Sequence, residues 1–242
     1  MFQFNELPAL VKNIIIINII FYVATVSLAS LGINLVDYFG LHQIQSSKFY
    51  PHQLITHFFM HGSIPHLFFN MFALWMFGKT LENIWGPKRF LIYYFVTALG
   101  AALLHISVTQ LKISNLMLEM NISDINTVIE NGANILQNRQ NYINSSMSKL
   151  NLLINVPTVG ASGAVFGVLL AFGLLFPNTL LYIYFAFPIK AKYFIIIYAI
   201  IELYLAILNN PNDNVAHFAH LGGMIFGYIL LKYWQKNKTR FY

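Results

Sequence analysis

The chain has 242 residues, 57% of them hydrophobic and only 9% charged, with a net charge of +6 and a mean hydropathy of +0.61. A soluble domain carries roughly 25% charged residues, so these values exclude a globule dissolved in water. The lack of any cysteine excludes a disulfide framework, a thiolate metal site and a cysteine nucleophile.

Charge-free stretches define the elements. No Asp, Glu, Lys or Arg lies between Lys12 and Asp37, Lys48 and Lys79, Arg89 and Lys112, Lys149 and Lys190, or Asp213 and Lys232. A helix crossing the roughly 30 Å hydrocarbon core needs about 20 mostly apolar residues, and each stretch has room for one. A further candidate, Tyr193 to Asn209, is interrupted only by Glu202. The expected fold is all-α: a polytopic membrane protein of six transmembrane helices in a single domain over 1–242. The spans fall near 13–31, 58–78, 89–108, 160–177, 192–208 and 215–232. The first is too long for the apolar region of a signal peptide and is expected to be retained.

The connections differ in character. Residues 32–57 are modestly polar, with Phe39, Leu41, Phe49 and Tyr50, and are expected partly in the outer interface. Residues 109–157 form a polar outer-side insertion, holding ten Asn between Asn115 and Asn155. Its 3–4 spaced apolar set Ile122, Ile125, Val128 and Ile129 predicts short amphipathic helices on the membrane surface. The stretch "FPNTLLYIYFAFPIKAK", broken by Pro177 and Pro188, reads as interfacial. No internal repeat supports an inverted-repeat transporter.

Lys and Arg set the orientation. Six spans put both termini on one side with the segments near 79–89 and 178–192. That side holds Lys12, Lys79, Lys88, Arg89, Lys190, Lys192, Lys232, Lys236, Lys238 and Arg240, against Lys48, Lys112, Arg139 and Lys149 on the other. Both termini are therefore expected in the cytoplasm. The positive charge is a topology signal, and no nucleic-acid partner is expected.

Polar groups stand out inside the apolar spans. The second carries "THFFMHGSIPHLFFN", with His57, His61, His66 and Asn70; the fourth opens on Ser162 within "GASG"; the sixth carries "AHFAHLGGMIFG", with His217 and His220. His66 and Asn70 are four apart and share a helix face. Ser162, His220 and His66 lie 12–15 residues from their inner span ends, roughly 18–22 Å at 1.5 Å per residue. All three fall at one depth. Gly163 with Gly167, and Gly223 with Gly227, are small-xxx-small pairs that let the fourth and sixth spans approach closely.

Taken singly, each group has a plain structural reading. A membrane serine packs or bonds back to a carbonyl, a histidine bonds across the bundle, and an asparagine glues helices. Together at matched depth they require a polar or wet cavity, and such cavities are usually functional. Metal chemistry is disfavoured: His57 and His61 are spaced like half a zinc site, but Phe58 and Phe59 stand where a general-base Glu would be. No metal or cofactor is expected. Serine chemistry fits better, with Ser162 as nucleophile and His220 as general base. His66, Asn70 and the Ser162 backbone N–H are candidate donors to the oxyanion. No carboxylate is placed to orient His220, so the pair is expected to be a dyad.

With these motifs in order, the sequence resembles the rhomboid family of intramembrane serine proteases over the chain outside 109–157. "GASG" (Gly160 to Gly163) is similar to the family's G-x-S-G around the nucleophile, Ser162. "AHLGGMIFG" is similar to A-H-x-x-G-x-x-x-G, with the catalytic histidine at His220 and glycines at Gly223 and Gly227. "HGSIPHLFFN" carries the H-x-x-x-N pair at His66 and Asn70. His61 and His217 are carried as supporting positions. The resemblance implies cleavage of a peptide bond in or near a transmembrane segment of another membrane protein, within the lipid bilayer of the inner cell membrane. It also implies sideways substrate entry by the fifth span and "NNPNDN" (Asn209 to Asn214). The chain departs from the family in two ways. Phe166 stands where many members have Tyr against the catalytic imidazole, and the 109–157 insertion either covers the site or is a tolerated surface addition. Glu202, near mid-membrane, maps to no motif. It is the main feature favouring a proton- or ion-coupled transporter, and a rhomboid-like client-binding protein that does not cut is the other alternative.

Overall fold

The computed structural model describes residues 7–183, 186–208 and 215–237. The segment 209–214, expected to take part in substrate entry, lies outside the described residues. The first helix, α1 (Ala9–Ala29), leads into a loop with two short helices, α2 (Leu35–Phe39) and α3 (Gln53–Thr56). A 3-10 turn at His57–Phe59 and an extended Met60 follow. Next comes α4 (Ile64–Ala73), which runs through a π turn, Leu74–Gly78, into α5 (Lys79–Trp85). The expected second span is thus a composite. Ser63 starts α4 as a side-chain cap, its Oγ accepting from His66 N at 3.3 Å, with Pro65 in the first turn. Gly86, at φ 74°, breaks the chain before α6 (Pro87–Leu118).

The third span was expected to end near 108, but α6 continues to Leu118. Its extension packs with α7 (Ile122–Gln137) and α8 (Ser145–Asn155) around buried Ile113, Val128, Leu150 and Ile154. The amphipathic helices of the insertion therefore exist, but they bury Val128 in a small core of their own while Ile122 stays exposed. Beyond them lie α9 (Ser162–Leu175), α10 (Ala191–Leu208) and α11 (His217–Lys236). The all-α expectation fails at one place. Leu180–Ile183 (β1) and Phe187–Lys190 (β2) pair as an antiparallel hairpin, Leu180 opposite Lys190, because Pro177 and Pro188 bar a helix through that stretch.

α1, α6 and α10 are each long and apolar enough to cross a membrane, and α9 is a shorter apolar helix. Their outward faces are hydrocarbon: Ile16, Ile20, Val23 and Val26 on α1, and Ile196, Ile200, Ile201 and Ile207 on α10, are all exposed. Apolar area on this scale suits lipid, not water. The chain is a multi-pass membrane protein. α9 is the opposite case, with ten of its fourteen residues buried, and sits at the centre against α6 and α11. Small residues allow this. A Cβ on Gly222 would meet Ala101 Cα at 2.9 Å and Gly100 O at 3.0 Å, and one on Gly223 would overlap the Gly163 carbonyl. Tyr93 of α6 fills the next layer, donating its hydroxyl to Gly167 O at 2.9 Å beside Gly227.

Candidate active site

Three helix N-termini converge here. Ser162 is the first residue of α9, His66 lies in the first turn of α4, and His217 and His220 lie in the first turn of α11. The unpaired N–H groups of such ends give each a partial positive charge. The loop before Ser162 is held from behind. Leu41 and Thr158 exchange backbone hydrogen bonds at 2.9 and 2.8 Å, and Gly160 N donates to His57 O at 3.0 Å. His57 in turn donates from Nδ1 to Gln53 O at 2.8 Å. Gly160 has φ 125°, open to glycine alone at low cost, and a Cβ there would lie 2.7 Å from His66 Nε2 and 3.7 Å from Ser162 Oγ. One point therefore neighbours both the hydroxyl and the His66 ring.

Ser162 Oγ lies 2.8 Å from His220 Nε2, although the two are 58 residues apart in sequence. The Gly163–Gly223 contact one residue beyond Ser162 and three beyond His220 sets that distance. Phe166 stacks on the His220 ring at 4.1 Å with planes 6° apart, and Tyr198 stacks on Phe166 at 5.2 Å. The stacking expected of Phe166 is present without a hydroxyl. A serine hydroxyl at this distance from an imidazole nitrogen can pass its proton to it.

The expectation that no carboxylate orients His220 is overturned. Glu202 of α10 is buried, and its Oε2 lies 2.9 Å from His220 Nδ1 and 2.6 Å from His217 Nδ1. The sequence signalled that Glu202 needs a partner, without fixing which group that is. A carboxylate inside a membrane span needs a partner, and the next helix offered two histidines three residues apart. Glu202, His217 and His220 also present ligand atoms within 4.8 Å of one another, a set of the type that holds zinc.

The remaining candidates are near but differently engaged. Asn70 is buried one turn along α4 from His66 and donates from Nδ2 to His66 O at 3.0 Å, leaving its second amide N–H over. His61 is buried with its ring edge-on to His66 at 5.0 Å. Behind Ser162 lies a small cavity whose lining includes His57, His105, Thr158 and Gly160, with Thr158 Oγ1 2.8 Å from His105 Nε2.

The chain is similar in sequence to known proteins. Residues 48–236 match the model of the Rhomboid domain. The chain is 26% identical over 186 residues to Rhomboid protein 1, mitochondrial, of Saccharomyces cerevisiae, covering 75% of this chain and 42% of that protein. It is 26% identical over 190 residues to RHOMBOID-like protein 12, mitochondrial, of Arabidopsis thaliana, covering 78% and 48%. Against Putative rhomboid protease YdcA of Bacillus subtilis it is 24% identical over 192 residues, covering 78% and 70%. The chain thus spans less than half the length of the first two relatives. The match nevertheless takes in α4, α9 and α11 with Ser162, His220, Glu202, His66 and Asn70, and by it the chain belongs to the rhomboid family.

Proposed function

We propose that this protein is an intramembrane serine endopeptidase that cuts a peptide bond in or near a transmembrane segment of another membrane protein. The observation that carries the reading is the 2.8 Å contact between Ser162 Oγ and His220 Nε2 beneath the Phe166 ring. His220 takes the hydroxyl proton as Oγ attacks the scissile carbonyl carbon. The carbonyl oxygen becomes an anion and meets the Ser162 backbone N–H, His66 and the free amide N–H of Asn70. His220 then gives its proton to the leaving amine, and water repeats the cycle on the acyl-enzyme. Six spans are proposed, counting the composite α4–α5 passage, α9 and α11 with the three long helices. The termini are placed in the cytoplasm of a bacterial-type inner membrane, with water reaching Ser162 from the outer face.

The transporter alternative rested on Glu202, whose two histidine contacts now favour a role within the serine site. The test is cleavage of a single-span reporter by purified protein in liposomes, wild type beside Ser162→Ala, with a chelator in a parallel wild-type reaction. The expected result is product from wild type with or without chelator and none from Ser162→Ala. Cleavage surviving Ser162→Ala would refute serine catalysis.

A further inference from the structure

Glu202 is the one acidic residue of α10, a helix whose outward face is almost wholly apolar, and it is turned inward and buried. Its Oε2 faces two imidazoles through the same ring atom, Nδ1 of His217 at 2.6 Å and Nδ1 of His220 at 2.9 Å. An ionised carboxylate can only accept hydrogen bonds, so both rings present N–H at Nδ1. A neutral histidine with its proton on Nδ1 carries a lone pair on Nε2. In His220 that is the atom facing Ser162 Oγ.

Resting on the serine-protease reading above, we propose that Glu202 is the positioning residue of the Ser162–His220 pair, with His217 anchoring its carboxylate. The site then works as a Ser–His–Glu chain. Two constraints fix the His220 ring, one on its face and one at its Nδ1 edge. Phe166 covers its face, and Glu202 holds its edge in the plane. The carboxylate also selects the tautomer that can accept the serine proton. When His220 becomes a cation, the bond from Nδ1 to Glu202 turns into a charge-assisted one, while the proton stays on His220. His217 shares the first turn of α11 with His220, so its bond ties the carboxylate to the helix that carries the base. No metal enters this scheme: the same atoms are satisfied by hydrogen bonds.

The test measures kcat and KM for reporter cleavage in liposomes with wild type, Ser162→Ala, Glu202→Gln and His217→Ala. Thermal melting of each variant is followed in detergent. Glu202→Gln keeps the shape and removes the charge. Its kcat should fall by about 100-fold or more while KM stays within about twofold and melting is little changed. His217→Ala should fall by about tenfold, because Glu202 keeps its bond to His220. A second readout needs no Glu202 variant: in 15N-histidine spectra of the wild type, His220, assigned by its loss in His220→Ala, should be protonated at Nδ1 and bare at Nε2. A Glu202→Gln kcat within threefold of wild type, a His220 proton on Nε2, or loss of wild-type turnover on chelation would each overturn the proposal. If Glu202→Gln fails to fold, the His220 tautomer decides. Cleavage by Ser162→Ala would instead sink the serine reading itself, so the two failures are distinguishable.

Discussion

Gly223→Ala is the smallest change that should separate the nucleophile from its base. A Cβ at Gly223 would overlap the Gly163 carbonyl oxygen and sit 2.8 Å from the Gly163 carbonyl carbon. Nonbonded carbons settle at about 3.5–4.0 Å, so α9 and α11 must part by roughly 1 Å at this level. The obstacle is backbone, so no rotamer change relieves it. Overpacking of this kind costs about 1–3 kcal/mol in stability. The larger effect falls on the site. Ser162 and His220 ride on the two helices that are pushed apart, and their contact is only 2.8 Å. A misplacement of about 1 Å can cost about 100-fold in rate. Gly62→Ala is the control, since nothing lies within 4 Å of a Cβ there. Reporter turnover and thermal melting in the same detergent would check both variants. Gly223→Ala with wild-type turnover would refute the claim that the glycine contact sets the catalytic distance.

Other perturbations test separate parts of the account. Phe166→Ala removes the ring stacked on His220. An aromatic pair is worth about 0.5–1.5 kcal/mol, so kcat should fall by roughly 2- to 12-fold, while Phe166→Tyr, which keeps the stack, should stay close to wild type. Glu82 is buried and caps α1, accepting from Leu10 N at 3.0 Å and Val11 N at 2.7 Å. Glu82→Ala leaves both N–H groups without that acceptor and should destabilise the fold by about 1–3 kcal/mol, seen as a melting temperature several degrees lower with Ser162 chemistry intact in the folded fraction.

The groups carried by helical spacing were legible in the sequence. His66 with Asn70, Gly163 with Gly167, and Gly223 with Gly227 share faces because positions four apart do so in any helix. Rise per residue put Ser162, His220 and His66 at one level, and the first turns of α4 and α9 meet beside Gly160 while those of α9 and α11 meet at the Ser162–His220 contact. Glu202 was not legible as a partner of His220. That pairing depends on how α10 is rotated about its axis, and Ile196 through Leu208 is apolar on nearly every side. An amphipathic stripe would have set the rotation, and here only the acid itself marks the inward face. The hairpin Leu180–Lys190 was hidden for a related reason: an apolar, aromatic stretch without periodicity fits either strand or helix, and the prolines only exclude the latter. The length of α6 was misjudged because its last turns are polar. They pack against α7 and α8 through buried Ile113, a tertiary contact no local pattern encodes.

The most direct test of the central claim is to locate a covalent serine adduct. Purified protein treated with a fluorophosphonate, digested and read by mass spectrometry, should carry the adduct on Ser162. His220→Ala should label at least 100-fold more slowly, with no effect of chelator on the wild type. Labelling at another residue, or an equal rate in His220→Ala, would contradict a nucleophile at Ser162 activated by His220.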